Sequence, residues 1–195
     1  MSAVYFSTSI IRNQNNPIMK NSMKMLIAGI SFSAYVAFTS FVSLAPKKAP
    51  VCGSYAVDLV SNQSVGANYE WVWSVTNPNP GNGSNCTLQN LSHWSLIPSA
   101  CLSQANIVSA AYSLDGLSWI YLPAFLAVDP SNPCYTGQVL KFDYGTSGST
   151  PTYYKLVLSE NFTVGFIGST FKSGSKTGCH TYGDLVLGPN CGQDR

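Results

Sequence analysis

Charged side chains are scarce in this chain of 195 residues, at 9% of the sequence, against roughly 25% in an average globular domain. From Pro46 onward, seven lysines and arginines face eight acidic residues. A balance so close to neutral, without a basic patch, excludes nucleic acid and an acidic membrane surface as expected partners. Disorder is excluded as well, because aromatic residues make up 12% of the chain and disordered chains combine few aromatics with high net charge.

Motifs that carry chemistry are also missing. The sequence has no Gly-x-Ser-x-Gly turn for a nucleophile, no Cys-x-x-Cys spacing for zinc and no EF-hand loop for calcium. Its carboxylates stand singly along the chain, and several lie in turn contexts such as Asp115-Gly116 and Asp129-Pro130. We therefore predict a protein that is not an enzyme and has no metal or cofactor. A secreted hydrolase is the least favoured class, and it would need a histidine and a carboxylate in one cleft.

Cysteine is absent before residue 52, and all six cysteines follow the hydrophobic N-terminal segment. An even number confined to one part of the chain predicts three structural disulfides and an oxidising compartment. Fifteen pairings are possible, and the spacing does not choose among them. The six residues are Cys52, Cys86, Cys101, Cys134, Cys179 and Cys191.

The N-terminal part has the layout of an export signal. Residues 26–44 contain no charge, and Lys20 and Lys24 precede them, as in a secretory signal peptide. Pro46 follows the small residues at 43–45 and is expected to impede cleavage, and nineteen apolar residues are just long enough to span a bilayer. We predict a secreted or surface-anchored protein, with a signal or anchor helix in 1–45, a linker at 46–51 and one domain at 52–195. Any membrane contact would be through 26–44, if this segment is not cleaved.

After the linker, short β-rich runs alternate with Gly, Pro, Asn and Ser. About nine strands at such intervals predict an all-β fold, an antiparallel β-sandwich held by disulfides. A helical turn or two is expected only within 102–111. The predicted strands are 55–60, 69–75, 94–97, 106–112, 117–122, 138–144, 152–158, 162–171 and 181–187.

Four stretches carry a resemblance to a known kind of domain. They are Leu91-Ser92-His93-Trp94, the run at 137–144, the strand at 154–158 and the terminal Gly188-Pro189-Asn190-Cys191. In this order they resemble secreted bacterial β-domains of unknown function that carry a Leu-Ser-His-Trp motif and end in Gly-Pro-x-Cys. The resemblance implies an extracellular β-module and supplies no catalytic residue.

The two histidines are candidates for acid–base chemistry. Strand alternation places His93 opposite Trp94 and on the side of Leu91, which favours a half-buried structural histidine that bonds the following loop. For His180, beside Cys179, an exposed position at a strand end is expected.

Aromatic strand residues are the best candidates for ligand contacts. Trp71 and Trp73 share one face of a predicted strand, and we expect them in the core rather than on a sugar-binding surface. Trp119 and Tyr121 lie near a turn and are the tentative ligand-binding residues.

The leading hypothesis is an extracellular module that acts by adhesion, matrix contact or assembly. It would bind a glycan or a protein, or associate with itself. The alternative is a carbohydrate-binding module.

Overall fold

The computed structural model describes residues 54–192, in which ten strands form two five-stranded antiparallel sheets. Sheet 1 has the order β1-β2-β8-β4-β5, and sheet 2 has the order β10-β9-β3-β7-β6. A 3-10 helix covers Gln104–Asn106. The strands are β1 (Ala56–Val65), β2 (Asn68–Thr76), β3 (Leu91–Leu96), β4 (Ile107–Ser113), β5 (Ile120–Leu122), β6 (Leu126–Val128), β7 (Gln138–Phe142), β8 (Thr152–Leu158), β9 (Thr163–Ser173) and β10 (Cys179–Asn190).

The predicted all-β fold is confirmed, with one strand more than expected. The additional strand, β6, has only three residues and is followed closely by Asp129-Pro130, so its sequence gives almost no alternation to recognise. The helical turn expected within 102–111 is the 3-10 helix. The predicted N-terminal helix, the linker at 46–51 and Cys52 lie outside the described residues.

Large aromatic rings fill the space between the sheets. Trp71 and Trp73 have no solvent exposure, which confirms the core assignment and rules out this pair as a sugar-binding surface. Trp94 of sheet 2 stacks on Phe142, with 5.0 Å between ring centroids, and meets Trp73 edge-on at 6.0 Å. Offset and edge-on arrangements are the favoured ones for aromatic pairs. The apolar core thus joins the two sheets as a sandwich.

The two sheets meet differently at the two sides of the sandwich. On one side, the long edge strands β1 and β10 contact each other. On the other side, the short edge strands β5 and β6 are consecutive, and residues 123–125 carry the chain from the edge of sheet 1 to the edge of sheet 2. We call residues 114–128, which include this crossing, the open side.

Two disulfides lie wholly within the described residues. Cys101 is bonded to Cys191, and Cys134 is bonded to Cys179. No free cysteine occurs among residues 54–192. These bonds indicate an oxidising environment of the extracellular type. The described residues contain no helix long and apolar enough to cross a membrane.

Candidate functional site

A β-bulge in β3 directs His93 away from the core. Leu91 pairs with Ser173 of β9, yet His93, two residues on, pairs with Lys172, only one residue away. The extra residue, Ser92, moves His93 to the face opposite that of Leu91, which is a core residue. The prediction that Leu91 and His93 share a side is therefore wrong, because simple alternation does not anticipate a bulge.

Gly145 fits against this bulge. A Cβ at position 145 would overlap the carbonyl oxygen of Leu91, and the Leu91 N–H donates to the Thr146 carbonyl at 3.0 Å. Only glycine permits so close an approach of two backbones.

His93 faces Asp129 and belongs to a cluster of titratable side chains. Its Nε2 lies 2.7 Å from Asp129 Oδ2, although the two groups are not oriented as in a hydrogen bond. Lys141 Nζ lies 3.6 Å from Asp129 Oδ1 and 3.0 Å from Asp143 Oδ1. The Asp143 side chain is 65% exposed, whereas that of Asp129 is 5% exposed. Residues that the sequence shows as isolated therefore converge in space.

Burial and charge set the protonation of this cluster. Burial lowers the pKa of His93, and Lys141 acts in the same direction, while Asp129 opposes them. Burial alone would raise the pKa of Asp129, but the Ser131 hydroxyl and backbone N–H donate to it, and the positive groups beside it help to lower the pKa. A lowered pKa is the reverse of what a general acid requires at neutral pH.

Asp129 begins a loop that crosses the outer face of sheet 2. We call residues 129–135 the strap. Its sequence contains two Asx-Pro turns, in which Ser131 N–H donates to Asp129 Oδ1 at 3.0 Å and Cys134 N–H donates to Asn132 Oδ1 at 3.2 Å. Short side-chain acceptors followed by proline favour such turns. The turn predicted at Asp129-Pro130 is thus confirmed.

Beneath the strap lies a row of polar side chains on adjacent strands. Ser95 pairs with Lys141 on one side and with Thr170 on the other, and Thr170 pairs with Thr181. The Asn132 amide donates to the Thr170 hydroxyl, and the Thr181 hydroxyl donates to the Cys134 carbonyl at 3.0 Å. The strap and the row therefore bury polar groups against each other.

The cluster meets only part of what a hydrolase requires. His93 and Asp129 are together, but both are buried, and in residues 54–192 no hydroxyl or thiol is hydrogen-bonded to Nε2 of the imidazole. Within the same range, no group of three or more metal-ligating side chains is found. This arrangement favours the predicted structural role for His93. The loop that His93 contacts is the strap, however, and not the loop that directly follows β3.

A shallow groove of about 220 Å³ lies beside the cluster, along β6 and β7. Its lining includes the apolar residues Phe125, Ala127 and Val139 and the charged residues Lys141 and Asp143. Both nearby acids already contact Lys141. The groove thus lacks a free cation for an anionic ligand.

The open side carries an unusual number of exposed apolar side chains. Of the twelve large ones exposed among residues 54–192, six lie in this segment of fifteen residues. Residues 116–128 contain no charge, so neither β5 nor β6 has the charged side chains that commonly protect an edge strand. The six are Leu114, Leu117, Ile120, Tyr121, Phe125 and Val128.

Trp119 and Tyr121, the tentative ligand-binding residues, lie on this segment in different surroundings. Tyr121 is 75% exposed. Trp119 is half-buried, and Lys155 Nζ lies 4.1 Å from its ring centroid and 2.8 Å from Glu70 Oε2. One face of the Trp119 ring is thus occupied by a cation that is itself paired.

The β4–β5 turn positions these two residues. The Leu117 and Ser118 N–H groups each donate to Asp115 Oδ1 at 2.8 Å, and these bonds hold the pKa of Asp115 well below its usual range. Gly116 follows with a φ of +73°, which glycine tolerates best. The turn predicted at Asp115-Gly116 is thus confirmed.

His180 is remote from this surface. It is half-buried at the start of β10, and its Nε2 lies 2.8 Å from the Thr177 carbonyl oxygen. The predicted strand-end position is confirmed, but the predicted exposure is too high, because the ring turns back onto the preceding loop.

Sequence reasoning missed Lys141, Asn132 and the exposed Phe125. The repeated Asx-Pro pairs at 129–130 and 132–133 were an available signal for the strap. The exposure of Phe125 had no such signal, since it depends on how β5 and β6 end the sheets. The chain matches no protein-family model, no curated protein and no solved structure.

Proposed function

We propose that this chain is a non-catalytic extracellular β-module, secreted or surface-anchored, that acts by binding or assembly. The observation that carries the proposal is the concentration of exposed apolar side chains on the open side. Soluble monomers rarely keep such patches without a use, and rimmed apolar patches are typical of contact surfaces. The open side is therefore the proposed contact surface.

A second copy of the chain is the first partner to examine. The open side is uncharged at 116–128, so its best complement is another uncharged apolar surface. It also contains two edge strands with unpaired backbone groups, and such edges pair readily with other strands. Low overall charge gives little electrostatic protection against self-association.

Sedimentation velocity on the exported protein tests this proposal. We expect concentration-dependent association that is at least tenfold weaker in a variant with Tyr121→Ser and Phe125→Ser. The matched control carries Val60→Ser and Phe166→Ser, which replace side chains of similar exposure away from the open side, and should associate like the parent. A monomeric protein that also binds neither cells nor matrix polymers would remove the support for this function.

A carbohydrate-binding module is the second candidate, and the Trp119 site favours it. Tyr121 offers an exposed ring two residues from Trp119, whose ring contacts the Lys155 that pairs with Glu70, so this part of the chain has both a stacking group and polar groups for hydroxyls. A glycan array is the test, with Tyr121→Ala and Trp119→Ala as variants and Phe166→Ala as the control. An array without hits, or binding that both variants retain, counts against this candidate.

A further inference from the structure

One disulfide, Cys134–Cys179, joins the strap to β10, and this bond is accessible to solvent. We propose that the Cys134–Cys179 disulfide is a thiol–disulfide exchange site whose reduction by an external dithiol releases the strap from sheet 2. Cys134 is exposed and Cys179 is half-buried, so an attacking thiolate has access to the bond. Access and thiolate character govern such exchange. This inference does not depend on the open side.

The remaining attachment of the strap is polar. Its two buried side chains are Asp129 and Asn132, while Pro130, Ser131, Pro133 and Cys134 are exposed. Hydrogen bonds and ion pairs contribute little net free energy each when release exposes both partners to water, although deleting one buried partner in place costs more. The disulfide is therefore the main interaction that keeps the strap attached to sheet 2.

Release of the strap would uncover a surface that water solvates well. The side chains beneath it include His93, Ser95 and Thr170, and the Ser95 hydroxyl is buried without a partner. The aromatic core lies on the other face of sheet 2, where Trp94 and Phe171 point inward. The strap can therefore open as a local unit while the sandwich stays folded.

The exchange reaction is balanced. A thiolate of the dithiol attacks Sγ of Cys134, the Cys134–Cys179 bond breaks, and the Cys179 thiolate leaves and takes up a proton. The second thiol of the reagent, once deprotonated, then attacks the mixed disulfide. Cys134 leaves as a thiolate that takes up a proton, and the reagent is released as a disulfide oxidised by two electrons.

Cys101–Cys191 provides a matched comparison within the same domain. Cys101 is also exposed and Cys191 is also half-buried, but this bond attaches the end of β10 and crosses no buried polar row. The Ser99 hydroxyl donates to the Pro189 carbonyl at 3.0 Å, and this contact should persist when the bond is removed. Its loss should affect the chain end alone.

The test compares two double variants of the exported protein, Cys134→Ser with Cys179→Ser and Cys101→Ser with Cys191→Ser. Carbethoxylation of His93, read by mass spectrometry, reports release of the strap, and hydrogen exchange of β8 reports the core. We expect His93 to react at least tenfold faster in the first variant only, with β8 protection retained in both. A His93 that stays protected overturns the inference, and so does a simultaneous loss of β8 protection, since the bond would then hold the whole fold.

Dithiothreitol added to the native exported protein tests the exchange itself. Differential alkylation should label Cys134 and Cys179 without denaturant, with the same acceleration of His93 modification. Labelling of this pair only after denaturation would overturn the proposed exchange site.

Discussion

Two adjacent segments of this chain reverse the usual distribution of side chains. The open side at 114–128 exposes large apolar groups, whereas the strap at 129–135 buries Asp129 and Asn132. Apolar side chains on the surface contribute little to folding, while buried polar groups must be satisfied within the fold. The difference suggests that the open side serves contacts with partners and that the strap serves the structure of sheet 2.

A change that disrupts the β-bulge at Ser92, which directs His93 toward the strap, should have the largest effect on stability. Gly145→Ala places a methyl group against the Leu91 carbonyl, so the backbone must shift, and we expect a loss of about 3 kcal/mol in the free energy of unfolding. Gly183→Ala is the control, because a Cβ there meets nothing within 4 Å. Urea unfolding measures both, and equal stability of the two variants would show that the bulge is not required.

Replacing Asp129, the buried acid of the strap, should destabilise the fold more than replacing Asp143, the exposed acid that contacts the same lysine. Asp129→Ala removes the partner of His93 and the acceptor of the Ser131 bonds, and we expect a loss of about 2 kcal/mol. Asp143→Ala removes an exposed partner of Lys141 and should cost less than about 0.5 kcal/mol. Similar losses in both variants, measured by thermal or urea unfolding, would contradict the structural role of the strap.

Strand alternation and turn motifs were the parts of this structure that the sequence could predict. Alternation placed Trp71 and Trp73 in the core correctly, and Asp129-Pro130 predicted a turn. The approach of His93 to Asp129 depends on the bulge at Ser92 and on a contact between distant parts of the chain, neither of which leaves a local pattern. The exposure of Phe125 follows from the position of β6 at a sheet edge, and a strand of three residues between prolines is too short to predict.

Near neutral pH, stability should depend on pH through the strap and not through the open side, which has no charge at 116–128 and whose one acid, Asp115, has a pKa well below its usual range. The pKa of His93 in the folded state lies below its ordinary 6.5, so the unfolded chain takes up a proton first. Stability should therefore fall as the pH falls below 6.5. Asp129, with a pKa below 3.8, should add a second loss below about pH 3.8. His93→Gln should abolish the first loss, and the control His180→Gln should retain it.

The smallest expected effect on stability is at the open side. Leu117→Ser, at a side chain that is 84% exposed, should change the free energy of unfolding by less than about 0.5 kcal/mol. Urea unfolding of this variant measures the change. A loss above about 1.5 kcal/mol would mean that Leu117 packs within the fold.

The most direct measurement is sedimentation velocity of the purified protein over a hundredfold range of concentration, with the Tyr121→Ser and Phe125→Ser double variant run in parallel. If the open side is a surface for assembly, the parent associates as concentration rises, and the double variant remains a folded monomer over the same range. If both proteins associate equally, the contact surface lies elsewhere, and the proposed role of the open side is contradicted.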